Sequence, residues 1–119
     1  MAERLTHRGG CHCGAVRWEV DAVIDEVIAC NCSICQKRGS LLAFAPAADF
    51  RLLSGAEKLK DYRFASKRIA HLFCSDCGQE SFGRSAKPDG SEMVAINIRC
   101  IDDVDLDAHP VRRFDGRSL

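Results

Sequence analysis

The chain has 119 residues, enough for one modest core and too few for two, so a single domain over 1–119 is expected. Its 17 basic and 17 acidic side chains cancel, which argues against a nucleic-acid binder, where a basic excess is expected. No apolar run approaches the roughly 18 residues of a membrane span, and Met1-Ala2-Glu3-Arg4 leads into polar sequence without an apolar export segment. A cytoplasmic protein without a membrane partner is therefore expected.

In that setting eight cysteines need a reason. Thiols in a reducing compartment more often bind metal or react than pair as disulfides. Spacing points the same way, because Cys-x-Cys and Cys-x-x-Cys pairs aim neighbouring sulfurs at one point.

Taken in order, Gly9-Gly10 leads into Cys11-His12-Cys13-Gly14, two ligands on one side of an extended chain followed by a sharp turn. Residues 15–20 alternate, with Val16, Trp18 and Val20 on the apolar side of a half-buried strand, and Trp18 is expected in the core. Residues 21–25 read as a turn and 26–29 as a second strand running into Cys30-Asn31-Cys32-Ser33-Ile34-Cys35. In that triplet Ser33 is placed to cap a short helix over 36–38, ended by Gly39. A helix N-terminus beside the thiolates favours their negative charge.

Residues 41–45 form a short apolar run consistent with a buried strand. Residues 49–53 and 59–64 read as two strands joined as a hairpin through Ser54-Gly55-Ala56. Residues 65–67 read as a turn, and 68–73 alternate up to Cys74-Ser75-Asp76-Cys77-Gly78, which has the form of a metal knuckle. Residues 79–84 read as a returning strand, Lys87-Pro88-Asp89-Gly90 as a turn, and 93–98 as a strand with Val94, Ile96 and Ile98 on one face. The acidic stretch Asp102, Asp103, Asp105 and Asp107 lacks the glycine and terminal glutamate of a calcium loop and reads as solvated. The tail from His109 is polar and basic. Strand patterns dominate, giving a mainly β fold of antiparallel sheets with cysteine-bearing turns.

The ligand arithmetic is informative. Two pairs supply four ligands and the triplet supplies three. Closed zinc sites use four protein ligands, whereas reactive ones use three and keep a position open. Zinc suits soft thiolates; iron in a four-cysteine site is the rival. The triplet reads as an open site, the competing reading being a structural site completed by Cys100 or a histidine. Cys100 itself reads as a buried small residue. An open three-thiolate zinc would deprotonate an incoming thiol, which then adds to a carbonyl, or the reverse step breaks a carbon–sulfur bond. Lys37, Arg38, Lys67, Arg68 and Arg84 are candidates for holding anionic substrate groups, with solvated charge the plainer reading of each. His12 and His71 lie near the ligands and read as outer donors rather than as acid/base groups.

Three cysteine motifs in this order resemble the glutathione-dependent formaldehyde-activating enzyme family, which also contains centromere protein V. The residues that carry the likeness are Gly9-Gly10-Cys11-His12-Cys13-Gly14-Ala15-Val16, Cys30-Asn31-Cys32-Ser33-Ile34-Cys35 and Phe73-Cys74-Ser75-Asp76-Cys77-Gly78. The resemblance implies an Mss4-like β-tent. It implies a structural zinc on Cys11, Cys13, Cys74 and Cys77, and a second, catalytic zinc on Cys30, Cys32 and Cys35. The activity it implies is a carbon–sulfur lyase that adds formaldehyde to glutathione, giving S-hydroxymethylglutathione; the partners are then a small thiol and an aldehyde. Formaldehyde-activating members often carry Cys-His-Cys in the middle motif, and here the central residue is Asn31. A non-catalytic zinc module binding a protein partner is the second reading, and a chromatin or nucleic-acid binder the third.

Overall fold

Alternating apolar and polar residues build ten strands within residues 3–63 and 69–118, the parts of the chain that the computed structural model describes. A three-stranded antiparallel sheet holds β1 (Arg4–Gly10), β2 (Arg17–Val23) and β5 (Phe50–Ser54), in the order β1-β2-β5. The seven-stranded sheet holds β3 (Val27–Cys30), β4 (Leu42–Pro46), β6 (Leu59–Tyr62), β7 (Ile69–Cys74), β8 (Phe82–Ala86), β9 (Glu92–Asn97) and β10 (Val111–Phe114). Its order is β10-β3-β4-β9-β8-β7-β6. Every pairing in it is antiparallel except β10 with β3, which is parallel. One short helix, α1 (Ser33–Arg38), leaves β3 and ends where the Gly39 N–H donates to the Cys35 carbonyl at 2.8 Å. The mainly β architecture with cysteine-bearing turns agrees with the β-tent expected from the sequence.

The two sheets share one core. Val16, Trp18 and Val20 are fully buried, as their alternation requires, and meet Val94, Ile96 and Ile98 from around β9. Phe50 links the sheets, with its ring 5.9 Å from Trp18 and 4.7 Å from Phe82. The Trp18 indole N–H donates to Ser81 Oγ at 3.0 Å, so its polar end is satisfied inside the core. Trp18 is thus a packing residue, as expected.

Register decides what the large sheet shows on each side. Ala43, Ile96, Phe82 and Leu72 stand opposite one another across four strands and pack on the core. One residue along, Phe44, Ala95, Gly83 and His71 form the next row. Side chains alternate along a strand, so this second row points away from the core. It becomes the floor of the cavity described below.

Three local expectations are corrected. The strands around Phe50 and Leu59 do not form a hairpin: β5 pairs with β2, and β6 pairs with β7 in the other sheet. Gly55 turns the corner at φ 87°, where a Cβ would lie 2.3 Å from the Ala15 carbonyl oxygen, and a single 3-10 turn (Ala56–Lys58) redirects the chain. β2 runs on to Val23, through the start of the expected turn. The returning strand expected over 79–84 lies at β8, Phe82–Ala86, and the polar, basic tail adds a strand, β10. The expected turn over 65–67 lies outside the described residues.

Candidate functional site

Cys11 follows β1 and Cys13 lies in a tight turn, closed by the Cys11 N–H donating to the Val16 carbonyl at 3.0 Å. The pair is therefore brought together by a turn, where an extended segment was expected. Cys74 ends β7, and its knuckle is closed by the Gly78 N–H donating to the Cys74 carbonyl at 2.8 Å. The four sulfurs of Cys11, Cys13, Cys74 and Cys77 lie within 4.8 Å of one another. Cys11 to Cys13 is 3.6 Å and Cys13 to Cys74 is 3.7 Å. A tetrahedron with metal–sulfur bonds of about 2.3 Å has sulfurs about 3.8 Å apart, so the cluster fits such an ion. Burial opposes ionisation of Cys77, but the Gln79 and Cys13 N–H groups and the neighbouring sulfurs outweigh it and hold the thiol down to about 6. Cys13 takes the opposite shift. The Ala15 N–H favours its thiolate, yet burial and the three surrounding sulfurs push it up to about 12. The opposite shifts are those of crowded thiols that share protons.

The second cluster gathers Cys30, Cys32 and Cys35, with their sulfurs again within 4.8 Å of one another. Cys30 ends β3, Cys32 is the residue that caps α1, and Cys35 lies in the helix. Ser33 makes no capping bond; the N-cap position falls one residue earlier, and the cap has no side-chain hydrogen bond. Burial disfavours the Cys32 thiolate, but the N–H groups of Cys35 and Ile34 and the adjacent sulfurs lower its pKa overall. Cys35 moves up, first through burial and then through Cys32 and Cys30. Among the described residues no histidine, carboxylate or fourth cysteine joins this group. Cys100 stands outside both clusters, half-buried, with its thiol pushed up to about 11 by burial and by Cys11 and Cys77.

The tail grips the triplet. Phe114 pairs with Cys30, and the Asn31 N–H donates to the Phe114 carbonyl at 3.1 Å. The Asn31 amide donates to Asp115 Oδ1 and accepts from the Arg117 N–H, both at 2.9 Å. Gly116 then passes so close that a Cβ would lie 2.6 Å from Cys30 Sγ. Asn31, the unexpected residue in the middle motif, is therefore the clamp between triplet and tail. Nothing local in 109–117 announces this, because all four β10 residues are exposed.

A cavity of about 380 Å³ opens beside the triplet, with Cys30, Cys32 and Cys35 on its wall. Leu42, Phe44, Ile69 and Ala95 line its apolar side. His71 and Glu80 supply its polar end, with His71 Nδ1 3.6 Å from Glu80 Oε2 and both side chains nearly buried. Glu80 is also ion-paired with Arg38 of α1, so the helix carrying Cys35 is tied to the cavity's polar end. His12 is exposed in the turn of the other cluster. Of the candidate anion holders, Arg38 is paired with Glu80 and lies over the Phe73 ring. Arg84 lies over the Phe50 and Phe82 rings, 3.9 Å from Glu92. Lys37 is exposed, and Lys67 and Arg68 lie outside the described residues.

The family model described as glutathione-dependent formaldehyde-activating enzyme matches residues 6–114. Among solved structures, the crystal structure of a Rhodobacter sphaeroides protein is similar, with a TM-score of 0.75 and 31% identity. The likeness covers 88% of this chain and 99% of that one. Among the described residues no helix is long and apolar enough to cross a membrane.

Proposed function

The chain belongs to the glutathione-dependent formaldehyde-activating enzyme family, and from that membership we propose that it is a carbon–sulfur lyase forming and breaking thiol–carbonyl adducts beside Cys30, Cys32 and Cys35. The observation that carries the reading is the opening of a three-sulfur cluster onto a cavity of about 380 Å³. Cys11, Cys13, Cys74 and Cys77 would hold a structural zinc, and Cys30, Cys32 and Cys35 a second one with a coordination position to spare. When bound at the triplet, zinc supplies the positive charge that keeps an adjoining thiol deprotonated near neutral pH.

The remaining work falls to the chain's own side chains. Apolar walls flank the sulfurs, so an adduct would form against a largely hydrophobic surface. In the forward direction a sulfur–carbon bond forms, the carbonyl π bond breaks, and the oxygen takes up a proton. His71 and Glu80, side by side on the cavity wall, would hand over that proton and recover it in reverse, an acid/base role in place of the outer-donor reading of His71. Arg38 keeps Glu80 in place through its ion pair. Glutathione and formaldehyde are the pair the family name suggests, in the cytoplasm.

The test is metal content per chain together with glutathione–formaldehyde exchange followed by NMR, for wild type and Cys35→Ser. Two zincs per chain and exchange well above the buffer blank, lost in Cys35→Ser, are expected. Two zincs with exchange equal to the blank would replace the enzyme by a non-catalytic zinc module.

A further inference from the structure

We propose that the site prefers a carbonyl substrate with an apolar tail of several carbons, laid along the outer face of the seven-stranded sheet, over formaldehyde. This rests on the thiol–carbonyl reading above and specifies its substrate. The chemistry is unchanged: the sulfur–carbon bond forms, the carbonyl π bond breaks, and the oxygen gains the proton that the thiol gave up.

Size is the first argument. A water occupies about 30 Å³ of liquid, and formaldehyde has only two heavy atoms. A cavity of about 380 Å³ falls within the small-molecule range, and formaldehyde beside a small thiol would leave most of it unfilled. The walls give the second. Phe44 and Ile69 are each 47% exposed and Phe114 is 40% exposed, and all three line this cavity. Large apolar side chains held open to solvent around one concavity mark a binding surface. The floor between them is flat because Ala95 and Gly83 follow Phe44 across the sheet. A tail fits there with its carbonyl toward Cys30, Cys32 and Cys35 and the polar pair His71 and Glu80.

Charge is the third argument. Both arginines on the wall are already answered, Arg112 by Glu26 at 2.9 Å and Arg84 by Glu92 at 3.9 Å. These pairs are exposed and weigh little; the mostly apolar lining around them is what suits an uncharged tail.

The experiment compares straight-chain aldehydes from formaldehyde to hexanal, each with 2-mercaptoethanol, on the zinc-loaded protein. KM should fall about fourfold for each added methylene until the floor is covered. Phe44→Asp should cut the hexanal-to-formaldehyde ratio of kcat/KM at least tenfold. Leu5→Asp, an equally exposed apolar position on the other sheet, should keep the ratio. Hexan-1-ol, which cannot react, should shift the Ile69 and Ala95 methyl NMR signals of wild type and not those of Phe44→Asp. Ala95→Leu guards against a folding defect in the first variant: it should shorten the preferred aldehyde while keeping two zincs. A flat aldehyde series with formaldehyde exchanged well overturns this inference and leaves the lyase reading standing. A gradient that follows the length of the thiol instead of the aldehyde also overturns it. No turnover of any aldehyde removes the lyase reading and this inference with it.

Discussion

Two cysteine clusters of nearly equal compactness sit in opposite surroundings. Cys11 and Cys13 leave β1 of the small sheet, whereas Cys74 leaves β7 of the large one, so the four-sulfur cluster ties the two sheets together. Cys74 is fully buried and Cys11 nearly so. The three-sulfur cluster joins β3 to a six-residue helix, buries none of its sulfur-bearing residues fully, and borders a cavity. The same residue type at similar spacing thus gathers between the two sheets in one place and faces a cavity in the other. The number of sulfurs differs by one; what separates the clusters more is whether the surrounding elements depend on them for their relative placement.

The largest test of that contrast is Cys74→Ser. Structural zinc binding contributes about 10–16 kcal/mol in small domains, comparable to or above the whole stability of a domain at about 5–15 kcal/mol. Loss of the cooperative transition in far-UV circular dichroism is expected, as it is after a strong chelator strips both sites. Cys35→Ser should lower zinc from two to one per chain by elemental analysis and abolish exchange, with the melting temperature shifted by only a few degrees. Equal unfolding in both variants would erase the distinction.

Gly116→Ala should come next, since its Cβ would press on Cys30 Sγ at 2.6 Å. Competition with a chelator should show the triplet's zinc affinity reduced about 10–100-fold, the range seen when groups behind metal ligands are disturbed, with the other site unchanged. The smallest effect concerns the small sheet. Arg51 forms a two-pronged ion pair with Asp21 at 3.1 Å, which with the Thr6 hydroxyl holds that carboxyl down at about 2. Because the folded value is depressed, the stabilisation is full above about pH 4 and is lost as pH falls to about 2. Thermal midpoints should decline across that window, and Arg51→Met should flatten the decline.

How much of this the sequence reveals depends on whether a feature is local. Each cysteine motif is local and so is legible in the sequence, and the structure gathers the sulfurs into two groups that could hold metal ions. Val94, Ile96 and Ile98 alternate over five residues and are buried as their pattern requires. Partnerships between distant strands have no local signature. Ser54-Gly55-Ala56 has turn chemistry, but turn chemistry does not say whether the flanking strands pair, and here they go to different sheets. Val111-Arg112-Arg113-Phe114 carries no strand pattern because an edge strand with both faces exposed has no buried side to show. The cavity floor is hidden for a related reason. Phe44, Ala95 and Gly83 come from three strands, and only the register aligns them.

The tail strand also has a consequence for the order of synthesis. Residues 111–117 emerge from the ribosome some eighty positions behind Cys30 and Asn31, which they contact. The four-sulfur cluster has all its ligands once Cys77 has emerged. During translation that cluster can therefore close first, while the triplet waits for Asn31 to be gripped by the arriving tail. Zinc capture by a chain arrested before residue 111 would be expected to stop at one tight ion.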